Sequence, residues 1–240
     1  DIPWAGRQLW DCDVQEKDGK YYLYFPLKDR NDIFRFGVAV SDTPEGPFIP
    51  QPDPIRGSYS IDVAVLKDDV PADDNGKPAY YFYFGGLWGG QLQRYRDNKA
   101  LENACLPEGE AQALPSRVVR LSDDMLGFAE EPKPVYVVDE NGEPLKANDP
   151  HRFFEASWVH KYNGKYYLSY STGDTHLICY AVILTPVKAG WTTHHCIVEF
   201  KGKWYLFHHD SVPSGKTWLR SLKVCELHYN ADGTIQTIEG

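Results

Sequence analysis

One short phrase recurs four times in this chain, and it confines the fold more tightly than any other feature. Asp18-Gly19-Lys20-Tyr21-Tyr22 returns as Asn75-Gly76-Lys77, there followed by Pro78-Ala79-Tyr80. It returns again as Asn163-Gly164-Lys165-Tyr166-Tyr167 and as Lys201-Gly202-Lys203-Trp204-Tyr205. Asp-Gly and Asn-Gly supply the positive φ of a tight hairpin turn, so each copy predicts a turn and then an aromatic strand. A partner strand is expected ahead of each turn, from Val14 and over 63–66, 158–160 and 197–200, with an outer strand over 36–40. The copies are unequally spaced, which suits four-stranded blades joined by variable loops and not the tighter period of a solenoid. No long stretch shows a 3.6-residue period, and 17 Pro are scattered along the chain, which excludes a helical fold. The expectation is an all-β fold, a β-propeller, with four blade repeats visible.

Composition then removes whole classes of partner. The net charge of −9 opposes nucleic acid and other polyanions but is compatible with a neutral ligand. Aromatic residues make up 14% of the chain. Most are explained by strand packing, and stacking on sugar rings is their second use. The five Cys, at 12, 105, 179, 196 and 225, contain no CxxC pair and are odd in number. That argues against a disulfide framework and a structural zinc site. No apolar run approaches membrane-spanning length, and no signal peptide precedes the first strand, so no membrane partner and a cytoplasmic location are expected. No organic cofactor is called for, and self-association is left open.

The repeats also place polar residues. Just ahead of each first strand stand Asp13, Asp62, Glu155 and the pair His194-His195. A single such carboxylate is an ordinary solvated turn residue. Four equivalent positions in a propeller converge on one end of the central channel, and converging carboxylates suit general acid–base work. Trp88, inside Gly85-Gly86-Leu87-Trp88-Gly89-Gly90, reads as a displayed sugar platform because a core Trp does not need flanking glycines. Trp10 and Phe34 are candidates to wall a sugar subsite, or else core residues. Arg220 is a candidate to bind a sugar hydroxyl or pair with pocket carboxylates, or else a surface residue. His195, His208 and His209 read as packing or surface residues. The acidic group Asp68, Asp69, Asp73 and Asp74 lacks EF-hand spacing and reads as a solvated hairpin tip.

Several stretches, taken in order, resemble glycoside hydrolase family 43. They are Ser58-Tyr59-Ser60-Ile61-Asp62, Phe84-Gly85-Gly86-Leu87-Trp88-Gly89-Gly90-Gln91, Phe153-Phe154-Glu155-Ala156-Ser157-Trp158 and Trp191-Thr192-Thr193-His194-His195. Within that family the chain is most similar to β-xylosidases and α-L-arabinofuranosidases, from about Pro3 to Ile235. The resemblance implies five blades and hydrolysis with inversion, releasing xylose or arabinose from the non-reducing ends of xylo-oligosaccharides and related hemicellulose fragments. It implies Glu155 as general acid and Asp62 as the residue that tunes and orients it. It also implies that His194 holds Ca²⁺ or another divalent cation in the channel, often through water. Residues 1–240 are expected to be a single propeller catalytic domain without its N-terminal blade. The family's general base belongs to that blade, and none is found in this chain. The alternative is therefore a propeller that binds carbohydrate without cleaving it. The second-blade motif, usually Trp-Ala-Pro-Asp, here reads Trp10-Asp11-Cys12-Asp13, and the stretch after Tyr180 is shorter than the pattern expects.

Overall fold

The structure is a computed structural model, and it describes residues 2–71, 76–101, 104–180, 187–188 and 194–238. Nearly all regular structure is strand. The chain divides into two compact units, one of Asp1–Leu106 with Ser116–Val135 and one of Pro107–Pro115 with Tyr136–Gly240.

Among the described residues the first unit holds two larger antiparallel sheets and one two-stranded ladder. Its first sheet comprises β1 (Ala5–Leu9), β2 (Asp13–Lys17), β3 (Lys20–Asp29), β4 (Phe34–Ser41) and β5 (Ile49–Pro50). Asp18 and Gly19, both at positive φ, make the β2–β3 turn that the repeat predicts. The stretch ahead of Trp10, which carries no repeat phrase, forms β1. It pairs with the far half of β3, with Leu9 opposite Leu27, and so extends this sheet rather than starting another. The second sheet is built from β6 (Ala64–Pro71) and β7 (Pro78–Phe84). After the small ladder of β8 (Tyr95–Arg96) and β9 (Lys99–Ala100), β10 (Ser116–Arg120) and β11 (Lys133–Val135) complete it in the order β11-β10-β7-β6.

Inward-facing aromatics alternate along these strands and meet edge to face. The Tyr24 and Phe82 rings lie 5.4 Å apart at 89°, and Phe36 and Phe82 lie 4.8 Å apart at 75°. The β6 edge needs polar partners as well, since an edge strand leaves every second residue's backbone groups unpaired. Asp13 and Gln15 of β2 supply them. The Asp13 carboxylate accepts the Val65 N–H at 2.7 Å and the Val14 N–H at 2.8 Å, while Gln15 Nε2 donates to the Val65 carbonyl at 3.1 Å. Burial pushes the Asp13 carboxyl up to about 6 against the pull of those two N–H donors. Asp13 is thus a strut between two sheets. Asp68, read from sequence as part of a solvated tip, is instead buried on β6. Asp73 and Asp74 lie outside the described residues.

The second unit repeats the plan. Its sheets are β12 (Glu155–Tyr162), β13 (Lys165–Thr172), β14 (Leu177–Tyr180) and β15 (Val187–Lys188), then β16 (His195–Phe200), β17 (Lys203–Asp210) and β18 (Ser221–Leu227). Asn163-Gly164 and Lys201-Gly202 again turn at positive φ. Trp158 Nε1 donates to the Ile197 carbonyl at 2.9 Å, tying the first strands β12 and β16, and His195 Nε2 lies 2.7 Å from Ser169 Oγ of β13. Tyr162, Tyr167, Trp204 and Tyr229 close around His160. None of the five cysteines is disulfide-bonded.

Candidate active site

In the first unit the site is built on the Ser60-Ile61-Asp62 turn. Asp62 is 3% exposed, and both it and Ser60 sit in the left-handed region, at φ 61° and 67°. Asp tolerates that region better than most residues, but two such positions flanking a buried Ile form a strained segment that its surroundings must hold. The glycine loop does the holding. Ser60 Oγ donates to the Gly90 carbonyl at 2.7 Å and accepts the Gly86 N–H at 3.0 Å, and the Gly85 N–H donates to the Ile61 carbonyl at 2.8 Å.

The glycines therefore serve contact, not flexibility. A Cβ on Gly90 would lie 2.6 Å from Ile61 Cδ1, and one on Gly89 would lie 3.3 Å from the Trp10 ring. Gly90→Ala should cost about 1–3 kcal/mol by overpacking and displace the Asp62 turn. Denaturant midpoints and turnover should both drop in that variant. Shortening Ile61 to Val in the same chain should restore much of each. An active, fully stable Gly90→Ala would show that the turn does not depend on this packing.

Trp88 itself is 42% exposed at φ 50°, so the indole is displayed, although the reason for its glycine neighbours differs from the one read in the sequence. Trp10 is half-buried, its ring 4.7 Å from Phe34. Phe34 is 0% exposed, with Lys28 Nζ 5.2 Å above its ring. As a subsite wall it is therefore corrected to core: it backs Trp10 and presents no face to a sugar. The side chain of Gln91 fixes that corner by accepting the Phe34 N–H at 3.1 Å and donating to the Asp32 carbonyl at 2.8 Å. Asp11, whose place in the motif was unusual, brings a carboxylate oxygen within 4.8 Å of one from Asp62.

In the second unit Glu155 opens β12, half-buried, opposite Ser171. The register shifts between Glu155 and Trp158, and Ala156 is left-handed at φ 57°. That bulge re-aims the first side chain of the strand. Bulges and left-handed non-glycine residues leave no clear mark in a sequence, so this signal was not readable beforehand. His194 is half-buried just ahead of β16, its ring 6.2 Å from that of His209. His195 is buried, and burial together with His194, His208 and His160 holds it well below the usual histidine range, as a neutral packing residue. Arg220 is exposed, with Nη1 3.2 Å from His209 Nδ1. Trp191, Thr192 and Thr193 lie outside the described residues, as does the shortened stretch 181–186.

Asp62 in the first unit and Glu155 in the second are each carboxylates held beside left-handed backbone at or just ahead of a first strand, groups of the kind suited to acid–base chemistry. The family profile of glycosyl hydrolases family 43 matches residues 1–190, and the chain belongs to that family. Its all-β fold is of the family's five-bladed propeller class. A xylosidase/arabinosidase of Bacteroides ovatus is 71% identical over 255 residues, spanning 100% of this chain and 76% of its own length. The structure of the β-xylosidase RS223 is 67% identical with a TM-score of 0.90, over 99% of this chain and 76% of that one. A β-xylosidase/α-arabinofuranosidase from a compost microbial metagenome, solved with xylotriose in a calcium-free form, is 57% identical. Its TM-score is 0.87, again over 99% and 76% of the two chains.

Proposed function

We propose that this chain is an inverting exo-glycosidase that releases xylose, and secondarily arabinose, from the non-reducing ends of xylo-oligosaccharides. The observation that carries this reading is the 71% identity to a xylosidase/arabinosidase along the whole chain. In the proposed reaction the Glu155 carboxyl gives its proton to the departing glycosidic oxygen, and Asp62 tunes and orients that acid. Water attacks the anomeric carbon from the opposite face, so the product carries the inverted anomer. The base that takes the proton from this water is not assigned among these 240 residues. Trp88, Trp10 and Arg220 are the proposed sugar contacts, and residues 1–240 are read as one catalytic domain.

A divalent cation belongs to the reading in a limited way. An imidazole nitrogen is a poor direct ligand for calcium, so His194 is proposed to hold the ion through water. Ca²⁺, when bound there, supplies positive charge near the reacting sugar.

Nitrophenyl β-xyloside and α-L-arabinofuranoside hydrolysis tests the reaction, and NMR of the first product from xylobiose tests its stereochemistry. Release of xylose as the α-anomer is expected, with the xyloside cleaved faster. If neither glycoside is cleaved while xylotriose still binds, the protein is a carbohydrate-binding propeller and not an enzyme.

A further inference from the structure

The loop between β17 and β18 carries the most exposed large apolar side chain among the described residues: Trp218 is 72% exposed. The loop that presents it is closely tied. At its base the buried Asp210 carboxylate accepts the Val212 N–H at 2.8 Å and pairs with Lys223 Nζ at 2.6 Å. At its tip the Ser214 hydroxyl lies within hydrogen-bonding distance of the Ser211, Lys216 and Leu219 carbonyls and accepts the Lys216 N–H at 3.1 Å. The Leu219 N–H donates to the Lys216 carbonyl at 3.0 Å. An indole left in water forfeits the burial that stabilises most tryptophans, and here a bonded scaffold holds it there.

Its position in the second unit is informative. The loop leaves β17 after Asp210 and so lies at the end of its sheet where β16 begins, since His195 pairs with His208. Glu155 begins β12 at the same end. The Trp158–Ile197 bond holds the two first strands side by side, and His195 also meets Ser169 of β13, two residues from Ser171, the partner of Glu155. Arg220, two residues beyond Trp218, reaches back to His209, beside His194. One end of this unit thus gathers a carboxyl group, a guanidinium and a displayed ring.

We propose that Trp218 is the stacking platform for the sugar on the leaving-group side of the scissile bond, the side to which Glu155 delivers its proton. The proposal rests on the glycosidase reading above and adds a second sugar position to it. A ring so exposed takes a pyranose by its apolar face without a hydrogen-bond code, so it favours length of chain over identity of the sugar.

Calorimetric binding of xylotriose and of xylose to the parent chain and to Trp218→Ala decides the matter without requiring turnover. Trp218→Ala should weaken xylotriose about tenfold and leave xylose unchanged, and Trp218→Phe should recover much of the loss. Equal losses on both sugars, no loss on either, or no xylotriose binding by the parent chain would each overturn the proposal. So would unchanged sugar binding accompanied by a change in oligomeric state, which would make Trp218 an interface residue. Hydrolysis of β-xylosyl fluoride reports separately on the proposed reaction. If the fluoride is not cleaved while the binding pattern holds, Trp218 remains a sugar platform, but the catalytic reading falls and with it the assignment to a leaving-group side.

Discussion

Glu155→Gln should reduce kcat on xylobiose by about a thousandfold, within the span general-acid groups contribute, while xylotriose binding changes less than about twofold. The amide keeps the size and shape of the carboxyl group, so the bulge at Ala156 that aims the side chain stays intact. What is lost is the proton. A sugar alkoxide leaves poorly without one, whereas fluoride leaves from β-xylosyl fluoride with little need of it. The same variant should therefore retain much more of its activity on the fluoride than on xylobiose. That split identifies an acid. Equal loss on both substrates would instead make Glu155 a positioning or nucleophilic group, and an unaffected kcat on xylobiose would remove it from the reaction.

The hairpins were readable because their turn chemistry is local. Asp18-Gly19 and Asn163-Gly164 need only two residues to state the turn, and the strands on either side pair antiparallel across it. Even Lys201, a poor turn residue by type, takes φ 53° because Gly202 and the flanking strands decide for it. The strand starts that carry Asp62 and Glu155 were found by their place in that repeat. What escaped was everything that depends on two distant segments touching. Gly90 reads as flexible until Ile61 is packed against it. Asp13 reads as either a structural or a pocket-lining residue until Val65 donates to it. Phe34 and Trp10 are equally aromatic in sequence, and only three-dimensional packing separates the buried ring from the half-exposed one. The left-handed backbone at Ser60 and Ala156 is a further case, since neither residue type announces it.

Acid should weaken the second unit through its buried histidines. His160 lies inside the aromatic cluster, 2.6 Å from the Tyr229 hydroxyl and stacked on Tyr167, and burial pulls it down to about 4. A base whose folded pKa is lower than its unfolded value near 6.5 binds fewer protons when folded. Its stabilising contribution is therefore full above about 6.5 and is lost as pH falls through the folded value. By pH 4.5 that loss amounts to about 2.5 kcal/mol from His160 alone. His195 is held down in the same direction by its burial and adds to the loss. Asp13 in the first unit has the opposite sign. Its folded pKa of about 6 exceeds the free value, so its contribution is present at low pH and lost as pH rises through 6. A global melting curve would blend these effects, so variants must separate them. Between pH 7.5 and 4.5, urea midpoints of the parent chain should fall further than those of His160→Gln. Tyr229→Phe, which removes the hydrogen bond but keeps the imidazole buried, should retain the steep pH dependence of the parent. If His160→Gln is as acid-sensitive as the parent chain, His160 is not the group that titrates. If Tyr229→Phe loses the steep dependence, the hydroxyl contact and not the buried ring sets it. Hydrogen exchange locates the effect, because the amides of β12 and β13 should lose protection in acid before those of β2 and β6.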